Sequence, residues 1–318
     1  MRRMCLGRQC GATLAAIKRL ASKVTPLLVV GFLIATVASQ WGELGRVDVR
    51  FDPVWLAGAF GALLAYQALH AEVARMVLVE LGQPIAGRRL RAIFSASLLA
   101  RYVPTGALAV VARIGLQERE GVAKRVGTLG LLYEIAIALV GAGLLCLVLV
   151  ARASPALAVV LLVLSPLLIA LVLGPRTFPS LANRVLRRLN REPVSRFIPT
   201  GAVLRLTALC ALSFALAGVS VLCVVRGITE APAGSTPTII ASAGLGFITS
   251  MLGFALPGGL GAREAGLTGA LALVLPGPIA FAVAVVSRLV QTAVELVYAG
   301  LATLADRRRV ADRPIPEV

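Results

Sequence analysis

Leu256-Pro257-Gly258-Gly259-Leu260-Gly261-Ala262-Arg263-Glu264-Ala265 is the stretch on which the fold turns. A proline and three glycines fall within residues 257–261, enough to interrupt any helix. The flanks are nonetheless apolar, and neither Ala231 to Ala262 nor Ala265 to Ser287 carries a charge. Lipid offers no hydrogen bonds, so irregular backbone at membrane depth survives only when buried in protein or lining a wet cavity. The stretch therefore predicts a broken helix inside a membrane domain, with Arg263 and Glu264 beside the break.

The rest of the chain fits that setting. Its 318 residues are 58% hydrophobic and 15% charged, with a mean hydropathy of +0.89, against about 45–50% and about 25% in soluble domains. Val24 to Gly42, Ala153 to Pro175 and Leu206 to Val225 are free of charge, and Val126 to Ala151 carries only Glu134. Each reaches the ~18 apolar residues of a membrane-crossing helix. The expected class is an all-α polytopic integral membrane protein. Residues 1–23 form a basic cytoplasmic segment, 24–305 one transmembrane domain, and 306–318 a cytoplasmic tail.

The formal charge of +17 reports orientation rather than nucleic-acid binding, because Lys and Arg are retained on the cytoplasmic side. Basic groups at 1–23, 75–125, 176–205 and 307–313 alternate with connections holding only Arg46, Arg50, Arg152 and Arg226. Both termini are accordingly expected in the cytoplasm, with the protein in the cell membrane. The five cysteines show no CxxC pair, and His70 is the single histidine. Metal clusters and catalytic triads are therefore not expected, and His70 reads as a packed or interfacial residue. No GxxxxGK[ST] sequence is present, so no nucleotide hydrolysis is assigned and no cofactor is expected.

Followed along the chain, the apolar segments predict six full crossings and two re-entrant hairpins. Val24–Gly42 leads outward and Val54 to about Arg75 returns. Ala92–Leu116, broken at Pro104 and Gly106 and basic on both flanks, enters and leaves on the cytoplasmic face. Val126–Ala151, Pro155–Gly174 and Leu206–Val225 cross in turn, with the Arg-rich segment Arg176 to Arg205 between the last two expected as the largest cytoplasmic loop. Between Glu230 outside and Arg307 inside an odd number of crossings is required. Either three lie there, or residues 241–275 form a hairpin from outside followed by one crossing; the short Ala265–Leu275 arm favours the hairpin. Pro-x-Gly followed by arginine occurs in both irregular segments, at Pro104 and Gly106 before Arg113 and at Pro257 and Gly259 before Arg263. Entry from opposite sides makes this an inverted-repeat pattern, in which interrupted helices meet near the midplane.

Ionisable side chains at membrane depth cost ~3 kcal/mol or more on insertion scales. Arg113, Glu134, Arg263, Glu264, Arg288 and Glu295 are that set. Arg288, Gln291, Thr292 and Glu295 share one helix face, which should point into the bundle. Two roles are open to these residues: static braces, or paired clusters that open to an anionic phosphate, for which guanidinium is the geometric match. Of the two, adjacent Arg263 and Glu264 are expected on irregular backbone, with Glu264 holding Arg263 when the site is empty.

The run from Leu256 to Ala265 resembles the C-terminal signature of the lysylphosphatidylglycerol synthase transmembrane (flippase-like) family. Val103-Pro104-Thr105-Gly106 with Arg113 resembles its upstream segment, and Glu134 and Arg288 fall where that family carries a glutamate and an arginine. The resemblance spans roughly residues 20 to 305 and covers the membrane part only. Two positions depart from it: Ala109 stands where a further glycine is common, and Tyr133 where an arginine partner is usual. It implies a protein that binds and moves an anionic lipid between leaflets without ATP, either a phospholipid or a polyprenyl-phosphate-linked sugar. The backbone breaks would be Pro104, Gly106, Pro257, Gly258, Gly259 and Gly261. The expected partners are the anionic lipid and a second copy or a lipid-modifying enzyme. Two other classes fit parts of the sequence: a membrane glycosyltransferase or its accessory subunit, using Glu43, Asp48 or Asp52 of the first external loop, and a small-solute permease. The expectation is that the chain is not an enzyme.

Overall fold

The computed structural model describes residues 52–100, 107–174, 177–253 and 261–311. Ten helices and no strand occur among them: α1 (Pro53–Glu80), α2 (Gly87–Ala100), α3 (Ala107–Arg119), α4 (Lys124–Ala153), α5 (Pro155–Leu173), α6 (Phe178–Arg188), α7 (Thr200–Ile228), α8 (Thr236–Leu252), α9 (Ala262–Leu271) and α10 (Gly277–Ala311). The protein is an all-helical polytopic membrane protein. Four helices, α1, α4, α7 and α10, are long and apolar enough to cross a bilayer. The 19 residues of α5 span about 28 Å at 1.5 Å per residue, close to a hydrocarbon core. The expected first crossing at Val24–Gly42, together with Glu43, Asp48, Pro104, Gly106, Pro257, Gly258 and Gly259, lies outside the described residues.

Local chemistry sets several helix ends. Asp52 accepts the Val54 amide at 2.8 Å and Pro53 starts α1, a pairing of N-cap and N1 proline that fixes the first turn. Ser154 separates α4 from α5 and accepts the Leu157 amide at 3.3 Å. Observed helices run beyond the expected spans: α1 continues to Glu80, and the first hairpin covers 87–119 rather than 92–116. Polar ends such as Glu80 and Arg89 lengthen these helices because they find partners there, which an apolar window does not register.

Those partners gather at one end of the bundle. Arg205 pairs with Glu80 at 2.8 Å, Lys124 with Glu118 at 2.9 Å, and Arg125 with Glu192. Arg89 holds both Glu120 at 2.7 Å and Asp306 at 2.5 Å, joining the start of α2, the turn after α3 and the far part of α10. The opposite end carries Arg152, bonded to Thr238 at 3.0 Å, and Arg226, stacked over Trp55. The basic groups read from the sequence at 75–125 and 176–205 thus share one end.

Both arms of the α2–α3 pair start from this basic end, through Arg89 and Glu120. The α8–α9 pair starts from the other: α8 begins beside Arg152, and α9 turns at 272–276 into α10, which runs to Asp306 at the basic end. Gly246 faces Arg263 and Leu267, and Gly253 faces Ala262, so α8 and α9 lie antiparallel. The two pairs enter from opposite ends, the inverted arrangement that the sequence predicts.

Association in lipid relies on close backbone approach rather than on hydrophobic exclusion of water. A methyl at Gly244 would sit 2.6 Å from the Ala142 carbonyl oxygen of α4, and one at Gly218 would sit 2.3 Å from the Ile240 carbonyl oxygen. These contacts wedge α8 between α4 and α7. In α5, by contrast, Leu157, Val160, Val163, Leu167 and Leu171 are exposed along the helix, as a lipid-facing surface should be. The Arg-rich segment after α5, expected as a loop, contains α6. Phe178, Ala182 and Leu186 are buried along one face while Arg184, Arg187 and Arg188 are exposed.

Candidate lipid site

Arg113 and Glu134, on successive helices, meet between α3 and α4. The Nη2–Oε2 distance is 2.6 Å, and the side chains are 9% and 10% exposed. The Arg113 guanidinium also lies 5.0 Å from the centre of the Phe94 ring of α2, a cation–π contact that holds the hairpin arms together. An aromatic chain continues from there: Phe94 meets His70, His70 meets Phe214 edge-on, and Phe214 meets Phe247 of α8 at 4.7 Å between ring centres. His70 is packed, as expected, with Nδ1 3.3 Å from Ser213 Oγ. Tyr133 turns the other way, stacking on Phe178 at 4.2 Å and accepting the Ile198 amide. Its place in the core explains why it needs no charge.

Around the second break the structure corrects one expectation. Arg263 and Glu264 do not lie on irregular backbone: α9 already starts at Ala262, with Gly261 as N-cap at φ +82°. Glu264 reaches back to accept the Gly261 amide at 2.8 Å, the reciprocal half of a capping box. Its other carboxylate oxygen faces Arg288 Nε at 3.7 Å. Glu264 is thus turned toward Arg288 and the start of its own helix. The helix N-terminus favours a carboxylate at this position, and α10 supplies the countercharge. Arg263 is half-buried, its stem running past Gly246.

The polar stripe of α10 faces inward: Ser287, Arg288, Gln291, Thr292 and Glu295 are all buried. Gln291 donates to Glu295 at 2.7 Å. The 3.7 Å Arg288–Glu264 contact exceeds hydrogen-bond length, so this ion pair is looser than the one at Arg113. Arg113 Nε, Glu134 Oε1, Thr268 Oγ1, Ser287 Oγ and Gln291 Oε1 are buried without a hydrogen-bond partner. Such a density of unanswered polar atoms fits a site that receives a polar group better than a brace. Phe94, Gln117 and Thr268 belong to these surroundings and escaped the sequence reading; their only signal was a position one helical turn from an ionisable residue.

Of the external acids, Asp52 falls among the described residues. Its carboxylate caps α1, and with Trp55, Arg226 and Glu230 it lines an open cleft of about 820 Å³. Cys210 and Cys223 are buried and Cys146 half-buried, all as free thiols. No group of three or more His, Cys, Asp or Glu placed to hold a metal occurs among the described residues.

The fold is that of a helical membrane domain in which two helix pairs enter from opposite ends and each contributes to a buried Arg–Glu pair. The family model described as the lysylphosphatidylglycerol synthase TM region matches residues 22–299, and the chain belongs to that family. Comparison with curated proteins gives no match.

Proposed function

We propose that this protein binds an anionic lipid and carries it between leaflets without ATP, in the cell membrane with both termini cytoplasmic. The reading rests on one observation: buried arginine–glutamate pairs, on hairpins rooted at opposite ends, bordered by polar atoms with nothing to bond. Arg113 Nη2 lies 2.6 Å from Glu134 Oε2 as an ion pair, while the Nε edge has no hydrogen-bond partner. A phosphate can therefore dock on that edge without first breaking the pair, through a short charge-assisted bond. The aromatic chain from Phe94 to Phe247 packs the core between the two hairpins. On this reading Arg113, Glu134, Arg263, Glu264, Arg288 and Glu295 bind and pass the lipid, and none of them is catalytic. Direction would come from removal of lipid on one side, which a partner lipid-modifying enzyme can supply. The glycosyltransferase alternative gains little from Asp52, whose carboxylate is occupied in starting α1.

The test is reconstitution into vesicles containing a fluorescent phosphatidylglycerol, with quenching by impermeant dithionite. Wild type should expose the inner-leaflet probe. Arg113→Gln and Glu264→Gln should slow this about tenfold or more, the kinetic equivalent of one charge-assisted hydrogen bond of ~1.5–3 kcal/mol. Wild-type vesicles that quench no faster or further than protein-free ones would remove the proposal.

A further inference from the structure

Gln117 occupies the last turn of α3, four residues beyond Arg113, so the two share a helix face about 6 Å apart along the axis. It is 1% exposed, yet neither Nε2 nor Oε1 has a hydrogen-bond partner. Its backbone is satisfied, since its carbonyl accepts the amides of Glu120 and Val122. Only the side chain is left unanswered. Gly127 of α4 makes the room for it: a Cβ there would come within 2.8 Å of Gln117 Oε1. A residue kept only for packing would be served better by leucine or methionine, because a buried amide without partners opposes folding.

The atoms here without a hydrogen-bond partner include both kinds, and Arg113 Nη2, ion-paired with Glu134, is a further donor among them. Arg113 Nε and Gln117 Nε2 are donors, and Gln117 Oε1 and Glu134 Oε1 are acceptors. A phosphate diester accepts hydrogen bonds and cannot satisfy the two acceptors. Gln117 also lies nearer than Arg113 to the basic end, where a lipid's headgroup would point when its phosphate sits at the arginine. We propose that Gln117 is a headgroup-reading residue: its carboxamide gives one hydrogen bond to, and takes one from, a hydroxyl on the lipid whose phosphate Arg113 holds. This rests on the lipid-binding function proposed above. One turn of helix matches the reach of a short polyol esterified to phosphate, so discrimination falls between hydroxylated headgroups and those without a hydroxyl.

Two probes with identical acyl chains isolate the effect: phosphatidylglycerol, and phosphatidylmethanol, which keeps the charged diester and lacks headgroup hydroxyls. Binding to the purified full chain is measured by native mass spectrometry. Wild type should prefer phosphatidylglycerol by about five- to tenfold, the range for one or two neutral hydrogen bonds. Gln117→Leu should bring the ratio to about one while leaving phosphatidylmethanol affinity unchanged. Gln117→Met gives a second apolar replacement, and Gly127→Ala, which pushes a methyl against the amide, should lower the ratio as well. Arg113→Gln should weaken both lipids equally. A wild-type ratio of one, or a preference that survives both apolar replacements, overturns the role of Gln117 and leaves the proposed function standing. Failure of wild type to bind either lipid overturns both.

Discussion

The Arg113–Glu134 pair permits a quantitative prediction. At 2.6 Å and an effective dielectric near 20, two unit charges attract by about 6 kcal/mol. Removing each ion from water costs several kcal/mol, so the intact pair is near break-even. The single deletions are not. Arg113→Leu strands a carboxylate whose second oxygen already lacks a partner, and Glu134→Leu strands a guanidinium whose other contact is the Phe94 ring. Each should lose ~3–5 kcal/mol of stability, whereas the double Leu variant should return to within ~1 kcal/mol of wild type. Unfolding in mixed detergent micelles, titrated with sodium dodecyl sulfate, reads all four proteins. Lipid binding by the same set separates bracing from function, since the double variant should be stable and bind none at this site. Single losses below ~1 kcal/mol, or losses that simply add in the double variant, would show that the charges do not meet inside the bundle.

Three further outcomes follow from the packing and the backbone. Gly244→Val forces a side chain into the Ala142 carbonyl, 2.6 Å from the methyl position, and should remove most folded protein in a size-exclusion profile. Gly261→Ala meets no steric obstacle but must adopt φ +82°; it should cost on the order of 1–3 kcal/mol in the same titration, and a neutral effect would contradict the α9 start. Cysteines placed at Glu192 and Glu230, exposed at opposite ends, should react with impermeant maleimide only from the cytoplasm and only from outside, respectively. Labelling of both from one side would overturn the topology.

Some of this architecture is legible in residue order because the membrane enforces it. Charge is expensive at depth, so Arg113, Glu134, Arg288 and Glu295 stand out against apolar flanks, and the spacing of the last two fixes their face on α10. Opposed hairpins are legible through glycine and proline, whose backbone consequences are local. Pairing is less accessible. That Glu264 turns to Arg288 depends on Gly261 letting α9 begin three residues early, so that Glu264 becomes an N3 residue with its carboxylate drawn back over the helix start. Gln117 carries no charge to mark it, and its significance comes from Gly127, ten residues away and across a turn. The arginines of α6 read as a loop, whereas its helix is set by the buried repeat of Phe178, Ala182 and Leu186.

Helix α10 touches both halves of this arrangement. A third of the way along it sets Arg288 against α9, and toward the far end Asp306 takes Arg89 of α2. Its 35 residues make a beam of about 52 Å. Pivoting rigidly about its centre by 5°, such a beam swings its tips about 2 Å in opposite senses. A tilt that shifts the Asp306 end against α2 therefore moves the start of α10, next to α9, by a similar distance the opposite way.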